Sequence, residues 1–209
     1  MRLRCHRASL PVSVILLAFA AEACRREPPA QINYVARITE ARATKDAVLQ
    51  NGREPVPQNL KLTLLPLVYY AVDEAYNVPA VLKPSNDTTI QQMVYSDGAI
   101  RDVRRVGTLE FFLNRQSLQL AAFVEAQAHD LDHLFVPFGD LTNGIETYPS
   151  GRLLDLQRTS TGLYEMDFNL AYNPSCYFSP TYSCPIPPKE NRLMVAVHAG
   201  EKVKPNKPG

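Results

Sequence analysis

Tyr148, Arg152, Asp167, Asn169, Asn173, Glu190 and Asn191 bring phenol, guanidinium, carboxylate and amide groups into one late stretch of the chain. An arginine fork beside amides and a phenol suits a small polar or anionic ligand, because a guanidinium grips a carboxylate or phosphate through two parallel hydrogen bonds. Glu190 is the best-placed candidate for general acid–base chemistry, with Tyr148 and Tyr172 as neighbours that could share its proton. Each group also has a structural reading. Arg152 could pair with Asp167 or Asp155 to fix strand register, and a Glu beside an Asn at a strand entrance often braces a turn.

Other chemistries find less support in the residue types. His129 and His133 have the i, i+4 spacing that binds a metal on a helix. They sit between the strand-like runs Phe123-Val124 and Leu134-Phe135-Val136, where a hairpin tip gives that spacing no meaning, so no metal site is expected. His198 stands alone on a strand-like run, no Ser occupies a nucleophile-elbow setting, and no Gly-rich loop is present to cradle phosphate. Cys176 and Cys184, eight apart with no nearby His, make half a zinc site at best and are read as a disulfide. The prolines around them, Pro174, Pro185, Pro187 and Pro188, stiffen that segment into a lid-like loop, since each fixes its own φ.

These residues lie in a run that resembles the bacterial and archaeal family catalogued as domain of unknown function 1684. The resemblance rests on Pro137-Phe138, Asp140, Thr142, Gly144 and Thr147-Tyr148, and on Gly151-Arg152, Leu154-Asp155 and Asp167-Phe168-Asn169. It continues through Ala171-Tyr172-Asn173-Pro174, Cys176, Cys184-Pro185, Pro187-Pro188, Glu190-Asn191, Leu193 and Ala199-Gly200-Glu201. Upstream it extends through Lys45-Asp46 and the YYAVDEAY segment. Leu153 and Asn143 depart from the usual pattern, and the resemblance brings no activity, cofactor or assigned site with it.

The elements that must position these groups are mostly strands. Ile32, Val35, Ile38 and Arg42 recur at helical spacing and predict an amphipathic helix over 32–50, stopped by Asn51-Gly52. Beyond Leu60 the period changes to two. TIQQMVYS and AIRDVRRV flank an Asp97-Gly98 turn, and VGTLEFFL and LQLAAFVEA flank a second turn at NRQS; both are hairpin signals. LTLLPLVYYAV, YNVPAVLK, HLFVPFGD, ETYPSGRLLDL, GLYEMDFNLAY and NRLMVAVHA supply further strands. In GLYEMDFNL the alternation puts Tyr164, Met166, Phe168 and Leu170 on one face and Glu165, Asp167 and Asn169 on the other. The fold expected is mainly β: an antiparallel split barrel with the helix packed over it, with a two-sheet β-sandwich as the alternative.

The start of the chain carries an address. Arg2, Arg4 and Arg7 precede an apolar run from Val12 to Ala21, too short to span a bilayer, and Ala21-Glu22-Ala23 fits a cleavage site. Residues 1–23 therefore read as a signal peptide. Cys24 follows at once, as the acylated Cys of a bacterial lipoprotein does, although Ala21 and Glu22 are unusual there. Residues 24–31 read as a tether, 32–203 as one domain and 204–209 as a flexible tail.

The 22 Lys and Arg against 21 Asp and Glu give a net charge of +1. Loss of 1–23 removes three Arg and one Glu, leaving 19 against 20, or −1. That balance lacks the basic footprint of a nucleic-acid binder. The expected protein is an exported, envelope-located module, membrane-attached if Cys24 is lipidated. Its expected polar pocket comprises Arg152, Asp167, Asn169, Asn173 and Glu190 beneath the disulfide loop. The alternative is an enzyme, hydrolytic or cofactor-dependent, at the same pocket; split barrels host flavins, which is an argument from fold analogy.

Overall fold

A computed structural model describes residues 29–87, 89–128 and 131–205. The signal peptide, Cys24, most of the tether, His129 with Asp130, and the last four residues lie outside the described residues. The helix α1 (Pro29–Asn51) leads, followed by the single turn α2 (Lys61–Leu64). Nine strands follow: β1 (Val68–Tyr69), β2 (Asn77–Pro84), β3 (Ile90–Val94), β4 (Ile100–Leu113), β5 (Gln116–Glu125), β6 (His133–Phe138), β7 (Arg152–Gln157), β8 (Tyr164–Asp167) and β9 (Glu201–Lys202).

The large sheet runs β7-β6-β5-β4-β2-β8, all neighbours antiparallel, with β3 added on β4. A bridge between Arg158 and Tyr164 links the ends of β7 and β8, which brings the sheet close to closing on itself. This is the barrel-like architecture expected, with the helix at the N-terminal end. β4 pairs β5 on one side, with a register shift between Arg105 and Gly107, and on the other side its first part pairs β3 and its second part β2. Gly107 is needed at that shift: a Cβ there would stand 2.2 Å from the Lys83 carbonyl oxygen. Both predicted hairpins form. The β4–β5 turn closes on Asn114 and Arg115, both at positive φ (50° and 64°), the backbone a two-residue type I′ turn demands.

Leu109, Leu120, Val136, Leu154, Tyr164, Met166 and Phe168 fill the barrel interior, each fully or almost fully buried. A second core lies outside it, where Leu49 of α1, Val56, Leu64, Leu65 and Leu67 meet Tyr177 and Phe178 of the disulfide loop. Cys176 and Cys184 are bonded to each other. The loop they close is a clasp rather than a lid. Its Cys184 carbonyl accepts from Ser96 N (2.9 Å) and its Ile186 N donates to Val94 O (2.9 Å), fastening it to the β3–β4 hairpin.

Three segments depart from the sequence reading. LTLLPLVYYAV is mostly a helical turn and coil, with two residues in β1. β8 stops at Asp167, whose side chain accepts from Asn169 N and turns Phe168–Leu170 into a 3-10 turn, so the alternation ends one residue past Met166. NRLMVAVHA forms no ladder: one bridge joins Arg192 to Gly139, the Asn191 and Val195 carbonyls accept from the backbone of Gly139 and Leu141, and those of Val197 and Ala199 accept from a side chain.

α1 presents part of the expected face: Ile38 and Arg42 lie in the seam, while Val35 is exposed and Tyr34 takes its place. The seam is Tyr34, Ile38, Arg42, Lys45 and Leu49, spaced four, four, three and four apart, two apolar contacts and three polar groups with long apolar stems.

Asn191 secures the weakest seam of the sheet. The described β5–β6 ladder holds the single partner pair Phe123 and Phe135, and Pro137 has no N–H to offer. The buried Asn191 side chain substitutes: its Nδ2 donates to Ala121 O (2.9 Å) and Pro137 O (2.7 Å), and its Oδ1 accepts from Ala121 N (2.6 Å). Asn191→Ala leaves those buried groups without partners. Chemical denaturation is expected to register a loss of about 2–4 kcal/mol.

Candidate functional site

Arg152 opens β7 and is completely buried, and so is its partner, Asp140. Nη2 donates to Asp140 Oδ2 (2.9 Å) and Val197 O (2.9 Å), and Nη1 donates to the carbonyls of Ala199 and Glu201. The other Asp140 oxygen accepts from Thr142 N (2.8 Å), Thr142 Oγ1 (2.6 Å) and Val197 N (3.3 Å). The expected pairing of Arg152 with Asp167 or Asp155 is therefore corrected: Asp140, twelve residues upstream on the turn after β6, takes that place. With its fork occupied and no exposure, Arg152 has no free face for an anion.

The remaining candidates separate into distinct settings. Tyr148 packs edge-on to the Tyr177 ring in the second core (centroids 6.1 Å), and burial raises the pKa of its phenol. Asn173 is buried beside β9, where its N donates to Glu201 Oε2 (2.8 Å) and its Nδ2 to Lys202 O (3.1 Å). Glu201 is itself buried and held by Lys45 of α1. Gly200 before it has φ +79°, and a Cβ there would lie 2.5 Å from Ala171 O, so only glycine lets the chain turn here. Asn191 is the sheet brace already described. Glu190 is exposed and lines a separate depression with Glu110, Gln119 and Arg192. The expected pocket of Arg152, Asp167, Asn169, Asn173 and Glu190 does not come together as one site: Arg152 and Asn173 are spent on backbone carbonyls, and Glu190 lies exposed in a separate depression.

Asp167 and Asn169 are the exception, and they meet α1. Asp167 Oδ1 accepts from Tyr34 Oη (3.0 Å), Asn169 N (3.0 Å) and Asn169 Nδ2 (3.2 Å). Asn169 also bridges to Asp73, accepting from its N (3.1 Å) and donating to its carbonyl (2.8 Å). Oδ2 of Asp167 is buried and has no hydrogen-bond partner; its nearest cation is Arg37 Nη2 at 3.6 Å, which also holds Glu165 at 3.0 Å. Burial raises the pKa of Asp167, against the hydrogen bonds from Tyr34 and Asn169 and the charge of Arg37, which lower it.

Asp167 lines a cavity of about 900 Å³ at the wall of the barrel, within the size range of small-molecule sites. Arg37, Glu165, Asp155 and Arg158 supply its polar groups, and Leu134, Leu156 and Val124 of the barrel core its apolar ones. Sequence reasoning missed Tyr34, Arg37 and Glu165. The available signal was the i, i+3 placement of Tyr34 and Arg37 on the helix, which puts both on one face.

An unpartnered buried carboxylate is unfavourable to the fold. Because burial holds the folded-state pKa of Asp167 above the unfolded one, its contribution is fully present below the unfolded pKa and is lost as pH rises through the folded value. Asp167→Asn keeps an acceptor at Oδ1 and removes the buried charge. Thermal and urea melts should show this variant more stable by about 1–2 kcal/mol at pH 7, with the gain vanishing in acid.

Comparison with known proteins agrees with the fold. The family model described as "Protein of unknown function (DUF1684)" matches residues 64–202, downstream of α1. Among solved structures, the solution NMR structure of an uncharacterized protein of Haloarcula marismortui is 34% identical, covers 82% of this chain and 95% of that one, and superposes with a TM-score of 0.64. No curated protein matches the chain. The chain belongs to the DUF1684 family.

Proposed function

We propose that this DUF1684 member is an exported envelope protein, with Cys24 as its lipid anchor, whose barrel binds a small polar ligand in the cavity at Asp167. The observation that carries the binding reading is Asp167, which lines a cavity of about 900 Å³ while its buried Oδ2 has no hydrogen bond. Buried polar atoms are as a rule satisfied, so one left open beside a cavity of ligand size is an acceptor awaiting a donor. Export is supported by the basic and apolar segments before Cys24, and by the Cys176–Cys184 disulfide, a bond that persists in oxidising compartments.

An enzymatic reading of the same site has one specific support. A carboxyl group whose pKa is raised by burial, hydrogen-bonded to a phenol, resembles the tuned acids and bases of catalytic sites. In that reading Asp167 moves the proton and Tyr34 orients it.

Mass spectrometry of the full chain recovered from cell membranes tests the proposal. The expected spectra show a chain beginning at an acylated Cys24 and, under native conditions, a retained small molecule that is missing from Asp167→Asn. An unprocessed, ligand-free chain in the cytosol would contradict both halves of the proposal.

A further inference from the structure

The cavity at Asp167 has a sign as well as a size. Its wall carries the carboxylates of Glu125, Asp155, Glu165 and Asp167 against the guanidiniums of Arg37 and Arg158. Arg37 is already held by two of those carboxylates, Glu165 at 3.0 Å and Asp167 at 3.6 Å. An anion entering here would meet an excess of like charge, and a cation would be drawn in. All the donors that reach Asp167 by hydrogen bond converge on Oδ1: the Tyr34 hydroxyl, the Asn169 amide N–H and the Asn169 side chain. Oδ2 is left with lone pairs and no hydrogen bond, on a side chain only 4% exposed. Beside it, Ala128, Phe135 and Leu170 present hydrocarbon to the cavity.

We infer that the ligand is a protonated amine with an apolar body: the ammonium donates to Asp167 Oδ2 and sits between it and Glu165, while the hydrocarbon lies along Ala128, Phe135 and Leu170. This rests on the binding reading above and narrows it to one chemical class. An ammonium carries three donors and no acceptor, which matches an acceptor-only carboxylate oxygen. It also supplies the positive charge that a buried carboxylate lacks, so the burial that raises the pKa of Asp167 is offset when the site is filled. Arg37 is half exposed and can leave Asp167 for water without itself becoming buried. The arrangement differs from the Arg152–Asp140 pair, where both carboxylate oxygens are occupied.

Three probes of one shape separate the possibilities: hexylammonium, hexanol and hexanoate, titrated into the full chain at pH 7 and followed by amide chemical shifts. Hexylammonium is expected to bind about tenfold or more tighter than the other two, the factor a charge-assisted hydrogen bond contributes. The shifts should centre on Asp167, Phe135 and Leu170, and Asp167→Asn should remove that advantage while leaving the weak binding of hexanol in place. Equal binding of hexanol or hexanoate at these residues would overturn the amine class and leave the cavity as a binding site. No binding of any probe there would overturn both, and tight hexylammonium binding that survives in Asp167→Asn would overturn the role given to Oδ2.

Discussion

A single guanidinium stands where a β-strand would otherwise be. The segment from Leu193 to Glu201 runs alongside the barrel without a strand partner for much of its length, and alternate carbonyls at Val197, Ala199 and Glu201 all accept from Arg152. Buried carbonyls without donors are costly, so this path exists only if a donor with several parallel N–H groups reaches it. Arginine at the start of β7 can. Its charge then requires a counter-charge in the same dry place, and Asp140 supplies it from the turn after β6, with Thr142 and Val197 N satisfying its other oxygen. Three remote stretches are thereby tied together, and Glu201 is delivered to Lys45 on α1.

From that anchor the helix follows. α1 crosses the barrel through polar contacts more than apolar ones: Lys45 to Glu201, Arg42 to the carbonyls of Tyr70 and Asn169, Asp46 to Leu67 N, and Tyr34 to Asp167. Each of the first three closes a backbone or carboxylate group that would otherwise be buried alone. The contact at Asp167 leaves one oxygen open. A carboxylate oxygen left without a hydrogen bond on a residue that lines a cavity is a place where local stability has been given up, as binding and catalytic sites often require.

Much of the architecture was legible in the residues. Period-two patterning and the two turns gave the barrel, and Asn51-Gly52 marks where α1 ends, Gly52 N closing on Val48 O at 2.8 Å. Asp167 and Asn169 stand out together in the sequence because they share one face of the alternation in GLYEMDFNL, although β8 ends at Asp167 and Asn169 lies in the turn beyond it. The expected partners were wrong for a physical reason. Spacing along a strand says which side a side chain leaves from, and it cannot say that Arg152 turns to carbonyls forty-five residues downstream in place of Asp167. Ile38 and Arg42 of the expected stripe of α1 do face the barrel, and Tyr34 and Lys45, whose stems pack while their heads bond, complete a seam that apolar residues alone do not mark. Asn173, Asn191 and Glu190 looked like one site in sequence because amides and carboxylates are common in sites. Amides are also the side chains that best imitate a peptide group, which is the work Asn191 does between β5 and β6.

The claim that the buried Arg152–Asp140 pair organises the fold is tested most directly by a double-mutant cycle followed through equilibrium unfolding in urea. Arg152→Ala and Asp140→Ala should each cost about 3–5 kcal/mol, since either one strands a buried charge, and the double variant should cost much less than their sum. Losses below about 1 kcal/mol for the single variants, or losses that simply add, would contradict a coupled, water-free pair.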